Sequence, residues 1–188
     1  MFEENRNNTV GKEVLKGKHE LFERTFLPYL NSAYNLARWL TRNEHDAEDI
    51  VQEALLRALE SFSTFMPGRD ARAWLLTIVR NCCRTWFTRN RSHQSTVQFD
   101  DTSPALAATW CDPEAAMITN ISSQLIHDTL KELPVEYREI LILRELEELS
   151  YKEIAQITDI PLGTVMSRLS RARKELYARL GRATGGTL

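Results

Sequence analysis

The sequence predicts an all-α protein made of two small helical domains joined by a flexible linker. Apolar residues recur at helical spacing through residues 19–91 and again through 113–180. Between these stretches, residues 92–112 lose the periodicity and gather polar, acidic and proline residues, which is typical of a linker. Near the carboxyl end, a short helical pattern and a longer one flank a turn at 159–163, which indicates a helix-turn-helix.

Composition places the chain among ordinary soluble proteins. Its 188 residues can bury one or two modest cores, and hydrophobic and charged contents of 43% and 27% are average. The absence of a long apolar run and of a signal-peptide pattern predicts a cytoplasmic protein without membrane insertion. The net charge of -2 conceals a strong segregation of acidic and basic residues along the chain.

The first domain is predicted over 19–91, after a polar tail at 1–18. Pro28 should kink or split its first helix, and Asn43 should cap the second. The polar face of this second helix carries Asp46, Asp49, Gln52, Glu53 and Arg57. A solvated face, a docking surface for a basic partner and a metal or acid-base site are all compatible with these residues. Without a second carboxylate cluster, the solvated face is favoured and catalysis is disfavoured.

A loop at 61–70 and the arginine-rich helix after it form the second candidate site. A single-strand binding groove needs arginines along the phosphates and aromatic rings that stack on bases. The loop displays Phe62, Phe65 and Met66, for which core packing and base contact are both open. Trp74 and Trp86 are assigned to the core. The helix positions outside the apolar stripe are Arg72, Arg80, Asn81, Arg84, Thr88, Arg89 and Arg91.

Three cysteines do not make a disulfide framework. Zinc binding by Cys82, Cys83, Cys111 and His93 is disfavoured, because adjacent cysteines on a helix point about 100° apart and no C-x-x-C spacing is present. We therefore predict buried or free thiols, with no metal and no cofactor.

The second domain is predicted over 113–180. Asp112 and Pro113 should start one helix, and Pro134 should start another that points Arg138, Glu139, Arg144 and Glu145 outward. A glycine-rich tail over 181–188 should not continue the last helix.

The helix-turn-helix begins with a capping box formed by Ser150 and Glu153. Its second helix should open at Thr164 and bury an apolar stripe led by Val165 and Leu169. The other side presents Thr164, Ser167, Arg168 and Arg171, with Arg173 and Lys174 beside them. Such hydroxyl and guanidinium groups read base edges and phosphates in a major groove. A solvated basic face is the alternative, and DNA binding is favoured.

Several motifs, in this order, resemble the extracytoplasmic-function sigma factors of bacteria. They lie at 46–53, 73–75, 80–81, 133–139, 149–151 and 163–165. The resemblance implies sigma region 2 over 19–91 and sigma region 4 over 113–180, with no enzymatic activity. It also implies binding to core RNA polymerase, to promoter DNA both as duplex and as single strand, and to an anti-sigma factor. Outside these complexes the protein is expected to be a monomer.

The resemblance assigns a role to each candidate surface. The face with Asp46, Asp49, Gln52, Glu53 and Arg57 would dock on the coiled coil of the polymerase β′ subunit. The protein would also contact the polymerase β subunit. The minus-10 strand would be melted and held by Phe62, Phe65, Arg69, Arg72, Arg80, Asn81 and Arg84. The minus-35 duplex would be read by Thr164, Ser167, Arg168 and Arg171, with Met166 and Ser170 at variable specificity positions. A stand-alone helix-turn-helix regulator is the alternative function.

Overall fold

The computed structural model describes residues 17–66, 68–90 and 124–184, all of whose regular elements are helices. The first unit (17–90) comprises α1 (17–26), a 3-10 turn (Leu27–Tyr29), α2 (Leu30–Thr41), α3 (Glu44–Glu60), a 3-10 turn (Phe62–Thr64) and α4 (Ala71–Asn90). The second unit (124–184) comprises α5 (124–132), α6 (Val135–Leu141), a π-helical turn (Ile142–Leu146), α7 (Tyr151–Thr158) and α8 (Leu162–Ala183). The predicted all-α class is confirmed.

The local start and stop signals of the sequence are confirmed at three helices. Pro28 lies in the 3-10 turn that separates α1 from α2. The Asn43 side chain accepts a hydrogen bond from the Asp46 backbone nitrogen at 3.0 Å and starts α3. Ser150 and Glu153 form both hydrogen bonds of the capping box at the start of α7. These signals act within one turn, so they are readable without knowledge of the tertiary structure.

The turn between α7 and α8 differs in detail from the prediction. Helix α8 opens at Leu162 rather than Thr164, because the Pro161 carbonyl already accepts hydrogen bonds from the backbone nitrogens of Thr164 and Val165. The residue with left-handed backbone is Asp159, at φ 51°, which ends α7. Aspartate tolerates this conformation better than most residues, so Asp159 takes the role that glycine usually has after a helix.

Two predicted boundaries also shift. Gly17 and Lys18, assigned to the tail, belong to α1; both are exposed, and neither adds an apolar side chain to the pattern that marks a helix. Helix α8 continues through Gly181 to Ala183, since one glycine in place of alanine lowers the stability of a helix by only about 1 kcal/mol. The predicted linker at 92–112 and the cap at Asp112 lie outside the described residues. Within those residues, no helix is both long and apolar enough to cross a membrane.

Aromatic rings form the part of the core where α1, the loop after α3, and helix α4 meet. Phe26 is 1% exposed and contacts four rings, those of Phe22, Phe62, Phe65 and Trp74, at centroid distances of 5.0–5.9 Å. The stacked Trp74 ring comes from α4 and ties this helix to α1. Phe62 is therefore a core residue. Of the two interpretations left open by the sequence, core packing and base contact, the structure favours core packing for Phe62.

The two units pack against each other and share one set of buried residues. Arg138 and Glu139, predicted to point outward, lie at this contact and are buried. Arg138 Nη2 donates to the Leu40 carbonyl at 3.2 Å, and Nη1 donates to the Lys131 carbonyl at 2.8 Å. Burial, with nearby Arg42 as the smaller cause, lowers the pKa of Arg138 to about 9, so it stays protonated at pH 7. The carbonyl ends of two helices suit this cation.

Candidate nucleic-acid and protein interfaces

The exposed side of α8 is the first candidate interface. Val165, Leu169 and Ala172 are buried and dock α8 onto the second unit, which turns the opposite side outward. There Ser167, Ser170 and Arg171 are exposed, while Thr164 and Arg168 are half-buried. Met166 is 53% exposed on the flank of this surface. The structure thus brings the predicted hydroxyl and guanidinium groups together on one side of the helix, as major-groove reading requires.

The second candidate interface follows α4 and the loop before it. Arg69, Asn81 and Arg84 are exposed, and Phe65 is half-buried. Two further predicted residues are occupied by the second unit: Arg72 donates to Glu147, and Arg80 Nε donates to Glu139 Oε1 at 2.8 Å. The structure therefore separates the predicted strand-binding residues into an open group, a buried ring at Phe62, and two arginines bound by carboxylates.

The third candidate interface is the polar face of α3. Asp49, Gln52 and Glu53 are exposed, Asp46 is half-buried, and Arg57 Nε donates to Glu53 Oε1 at 2.7 Å. Leu56 lies among these polar groups and is 59% exposed. Sequence reasoning missed this residue, although it falls outside the apolar stripe that faces the core. A single exposed leucine is ordinary on a protein surface, so the interest of Leu56 lies in its place among the candidate residues of α3.

The cysteines give no sign of a reactive or metal-binding site within the described residues. Cys82 and Cys83 are free and buried on α4. Burial is the main cause that raises the pKa of both thiols, which disfavours the thiolate needed for metal binding or nucleophilic attack. In the part of the chain that the structure describes, no cluster of three or more histidine, cysteine or acidic residues is placed to hold a metal ion. Cys111 and His93 lie outside that part.

A cleft with a volume of about 580 Å³ separates α4 from the second unit. Arg80 and Arg84 line one wall, and Glu136, Asp159 and Arg168 line the other. The first turns of α8 and the middle of α4 therefore face each other, and the two candidate nucleic-acid surfaces meet at one place in the molecule.

Both units of the protein match models of known protein families. A family model described as sigma-70 region 2 matches residues 25–93, and one described as sigma-70, region 4 matches residues 123–176. The first match covers α2, α3 and α4 completely, and the second covers the helix-turn-helix. Both candidate nucleic-acid surfaces and the polar face of α3 thus fall within matched residues.

The chain is also similar to curated relatives over nearly their whole length. The chain is 31% identical to the ECF RNA polymerase sigma factor SigW of Bacillus subtilis, covering 90% of this chain and 94% of the relative. It is 30% identical to the ECF RNA polymerase sigma-E factor of Haemophilus influenzae, with coverages of 96% and 98%. The sigma factor RpoE of Bartonella quintana, solved in complex with the anti-sigma factor NepR, has 29% identity and a TM-score of 0.70 over 85% of this chain and 96% of that one. The protein therefore belongs to the extracytoplasmic-function sigma factors of the sigma-70 family.

Proposed function

We propose that the protein binds core RNA polymerase in the cytoplasm and directs it to promoters that contain particular minus-35 and minus-10 elements. The observation that carries this proposal is the presence of three separate surfaces in one chain: a polar face with an exposed leucine on α3, an arginine-bearing helix α4, and a docked recognition helix α8. The protein positions the polymerase and opens DNA, and it carries out no chemistry of its own. Residues 19–91 and 113–180 act as its two working domains.

Helix α8 reads the minus-35 duplex in this proposal. Arg171 and Ser167 lie at the centre of the exposed side and are placed to contact base edges or phosphates, with Thr164 and Arg168 beside them. Met166 and Ser170 adjust sequence preference. The exposed thioether of Met166 favours an apolar contact with a thymine methyl group, whereas a basic side chain at this position would favour guanine or phosphate.

Helix α4 and its preceding loop hold the melted minus-10 strand. Arg69, Asn81 and Arg84 are open to solvent, and Arg72 and Arg80 join them once their carboxylate partners are removed. Phe65 is the aromatic candidate for base stacking, because it is only half-buried. Phe62 supports the loop from below by packing on Phe26 and Phe22.

The polar face of α3 docks on the polymerase. The charged and polar residues of this face suit a basic surface such as that expected at the β′ coiled coil; they are Asp49, Gln52, Glu53 and Arg57, with Asp46 at the edge of the face. A further contact is proposed with the β subunit. Leu56 supplies the apolar contact that a charged face needs in order to bind tightly. By analogy with the RpoE–NepR complex, an anti-sigma protein is a second partner, and the protein is a monomer outside these complexes.

Replacing Arg171 with alanine should weaken binding of the holoenzyme to its minus-35 element by about 1–3 kcal/mol, if the guanidinium contacts a base. Binding to core polymerase should not change. Electrophoretic mobility shifts on a promoter selected by the wild-type protein measure the loss. Arg182→Ala is the matched control, because Arg182 is exposed at the far end of the same helix. Equal promoter affinity for Arg171→Ala and wild type would refute this placement.

The association with polymerase itself is tested by gel filtration. Purified protein mixed with core RNA polymerase should elute with the enzyme in a one-to-one complex. Elution of the two as separate species would contradict the proposed function and would favour a stand-alone helix-turn-helix regulator.

A further inference from the structure

A second cavity, with a volume of about 560 Å³, is lined by the end of α2, the start of α6 and later parts of α4 and α8. The arginines that line the cleft beside the nucleic-acid surfaces, Arg80, Arg84 and Arg168, do not line this cavity. Its volume lies in the range of sites for small molecules, which is about 300–1,000 Å³. The cavity is therefore large enough for a ligand, and the proposed contacts to DNA leave it unused.

Three arginines from different helices line the cavity: Arg42 at the end of α2, Arg138 on α6 and Arg179 on α8. Arg179 is paired, because it donates to Glu132 at 3.2 Å and to Glu175 at 2.9 Å. Arg42 and Arg138 form no ion pair with a carboxylate of the described residues. Since Glu132 is the one carboxylate among the lining residues, the wall of the cavity has a net charge of +2.

Arg138 is the buried member of this group, and its hydrogen-bonding capacity is not fully used. The residue is 2% exposed, and its Nη atoms donate to the main-chain carbonyls of Lys131, Leu133 and Leu40. Its buried Nε donates to none of the described residues. Carbonyl groups are dipoles and leave the charge of the cation uncompensated, whereas a buried cation is most stable beside an anion.

The positive charges of Arg138 and Arg42 also act on each other. After burial, the charge of Arg42 is the second cause that lowers the pKa of Arg138. Both guanidinium groups line one cavity, so an anion held there would replace their mutual repulsion by two attractions.

Much of the remaining wall is apolar. Phe87 and Val135 are half-buried at the cavity, and the ring of Pro134 lies beside them. A bare inorganic anion would leave these groups in contact with water. A ligand with an aromatic or aliphatic body would cover them, and an aromatic body could also pack on the ring of Phe87.

A phosphate monoester has the charge that this wall requires. It carries a charge of about −1.5 to −2 near pH 7 and has three acceptor oxygens, so it can accept from more than one guanidinium. A carboxylate has a single negative charge, as does each phosphodiester of a nucleic-acid backbone. Either of these would leave one of the two unpaired arginines without compensation.

We propose that this cavity binds a small phosphate monoester with an aromatic or apolar body. Arg42 and Arg138 hold the phosphate, and the body lies against Phe87. None of these three residues belongs to the surfaces assigned to polymerase or promoter, so the inference does not depend on the proposed function.

Isothermal titration calorimetry of the full chain at constant ionic strength tests the ligand class with three probes. Phenyl phosphate should bind one molecule per chain. Inorganic phosphate, which lacks the ring, and benzoate, which has the ring but a single charge, should each bind about tenfold more weakly. No saturable binding of phenyl phosphate, or equal affinity for benzoate, would overturn the proposal.

Replacing Arg42 with glutamine should weaken the binding of phenyl phosphate by about tenfold, because a charge-assisted hydrogen bond is lost. Arg24→Gln is the matched control, since Arg24 is exposed on α1 and its replacement changes the net charge equally. Equal affinities of the two variants would overturn the role of Arg42.

A gain of affinity guards against simple misfolding. Glu132→Gln removes the carboxylate that repels an anion and frees a donor of Arg179, so it should tighten the binding of phenyl phosphate by about threefold. Glu136→Gln is the control, because Glu136 is exposed nearby on α6 and does not line the cavity. The site would be refuted if Glu132→Gln bound no more tightly than Glu136→Gln.

The phosphates of nucleic acid are the other source of this ligand chemistry. The affinity for phenyl phosphate should be the same with and without an excess of mixed-sequence duplex or single-stranded DNA. A loss of affinity in the presence of either DNA would assign the arginines to nucleic acid and would overturn a separate small-molecule site.

Discussion

Replacing Asp49 and Glu53 together with alanine should lower the affinity for core RNA polymerase by about tenfold or more, which corresponds to about 1.4 kcal/mol. Both carboxylates are exposed on one face of α3, and Glu53 also orients Arg57 through a 2.7 Å hydrogen bond. Removal of the pair therefore disturbs three charged groups at the centre of the proposed docking face. Leu56→Ala should cause a loss of similar size, because it removes the exposed apolar contact of this face.

Binding is measured by biolayer interferometry with immobilised core polymerase. Glu20→Ala combined with Glu23→Ala is the matched control, since it removes two exposed carboxylates from α1 and changes the net charge equally. Helix content should be the same for all variants. Normal association of the α3 variant would mean that its acidic face is merely solvated, and equal losses in both double variants would indicate a general effect of charge.

Replacing Phe26 with alanine should lower the free energy of unfolding by about 3–5 kcal/mol. Phe26 is 1% exposed and contacts rings from three elements, namely α1, the loop that follows α3, and helix α4. Its removal therefore leaves a cavity that all three elements would have to move to fill. A loss of this size is a large share of the 5–15 kcal/mol that stabilises a typical domain.

Urea unfolding followed by circular dichroism measures this loss. The neighbouring Leu27→Ala is a close control, because Leu27 is 56% exposed and its truncation should change stability by about 0.5 kcal/mol or less. If both variants lost the same stability, the aromatic cluster would not be the core of the first unit.

Much of the helical structure was predictable because its signals are local. Asn43 and Ser150 cap their helices within one turn, and Pro28 interrupts a helix wherever it occurs. The stripe of Val165, Leu169 and Ala172 likewise needs only helical spacing to be recognised. The face of α8 predicted to read DNA follows from this stripe, since the opposite side must be exposed.

The errors concern contacts between distant parts of the chain. Arg138 and Glu139 look like surface residues in sequence, yet one bonds to the Leu40 carbonyl and the other to Arg80. No periodicity within one helix contains the information that another unit will cover it. Phe62 is a similar case, because its burial depends on Phe22 and Phe26 far earlier in the chain. Leu56 is a different case: it lies outside the apolar stripe of α3 and carries no charge, so neither the core pattern nor the polar pattern of the sequence includes it.

Run-off transcription with core polymerase and a library of genomic fragments tests the central claim most directly. The account predicts transcripts only when the protein is added, from fragments that share one upstream element in the minus-35 region and a second in the minus-10 region at a constant spacing. Absence of protein-dependent transcripts, or start sites without a shared pair of elements, would contradict it.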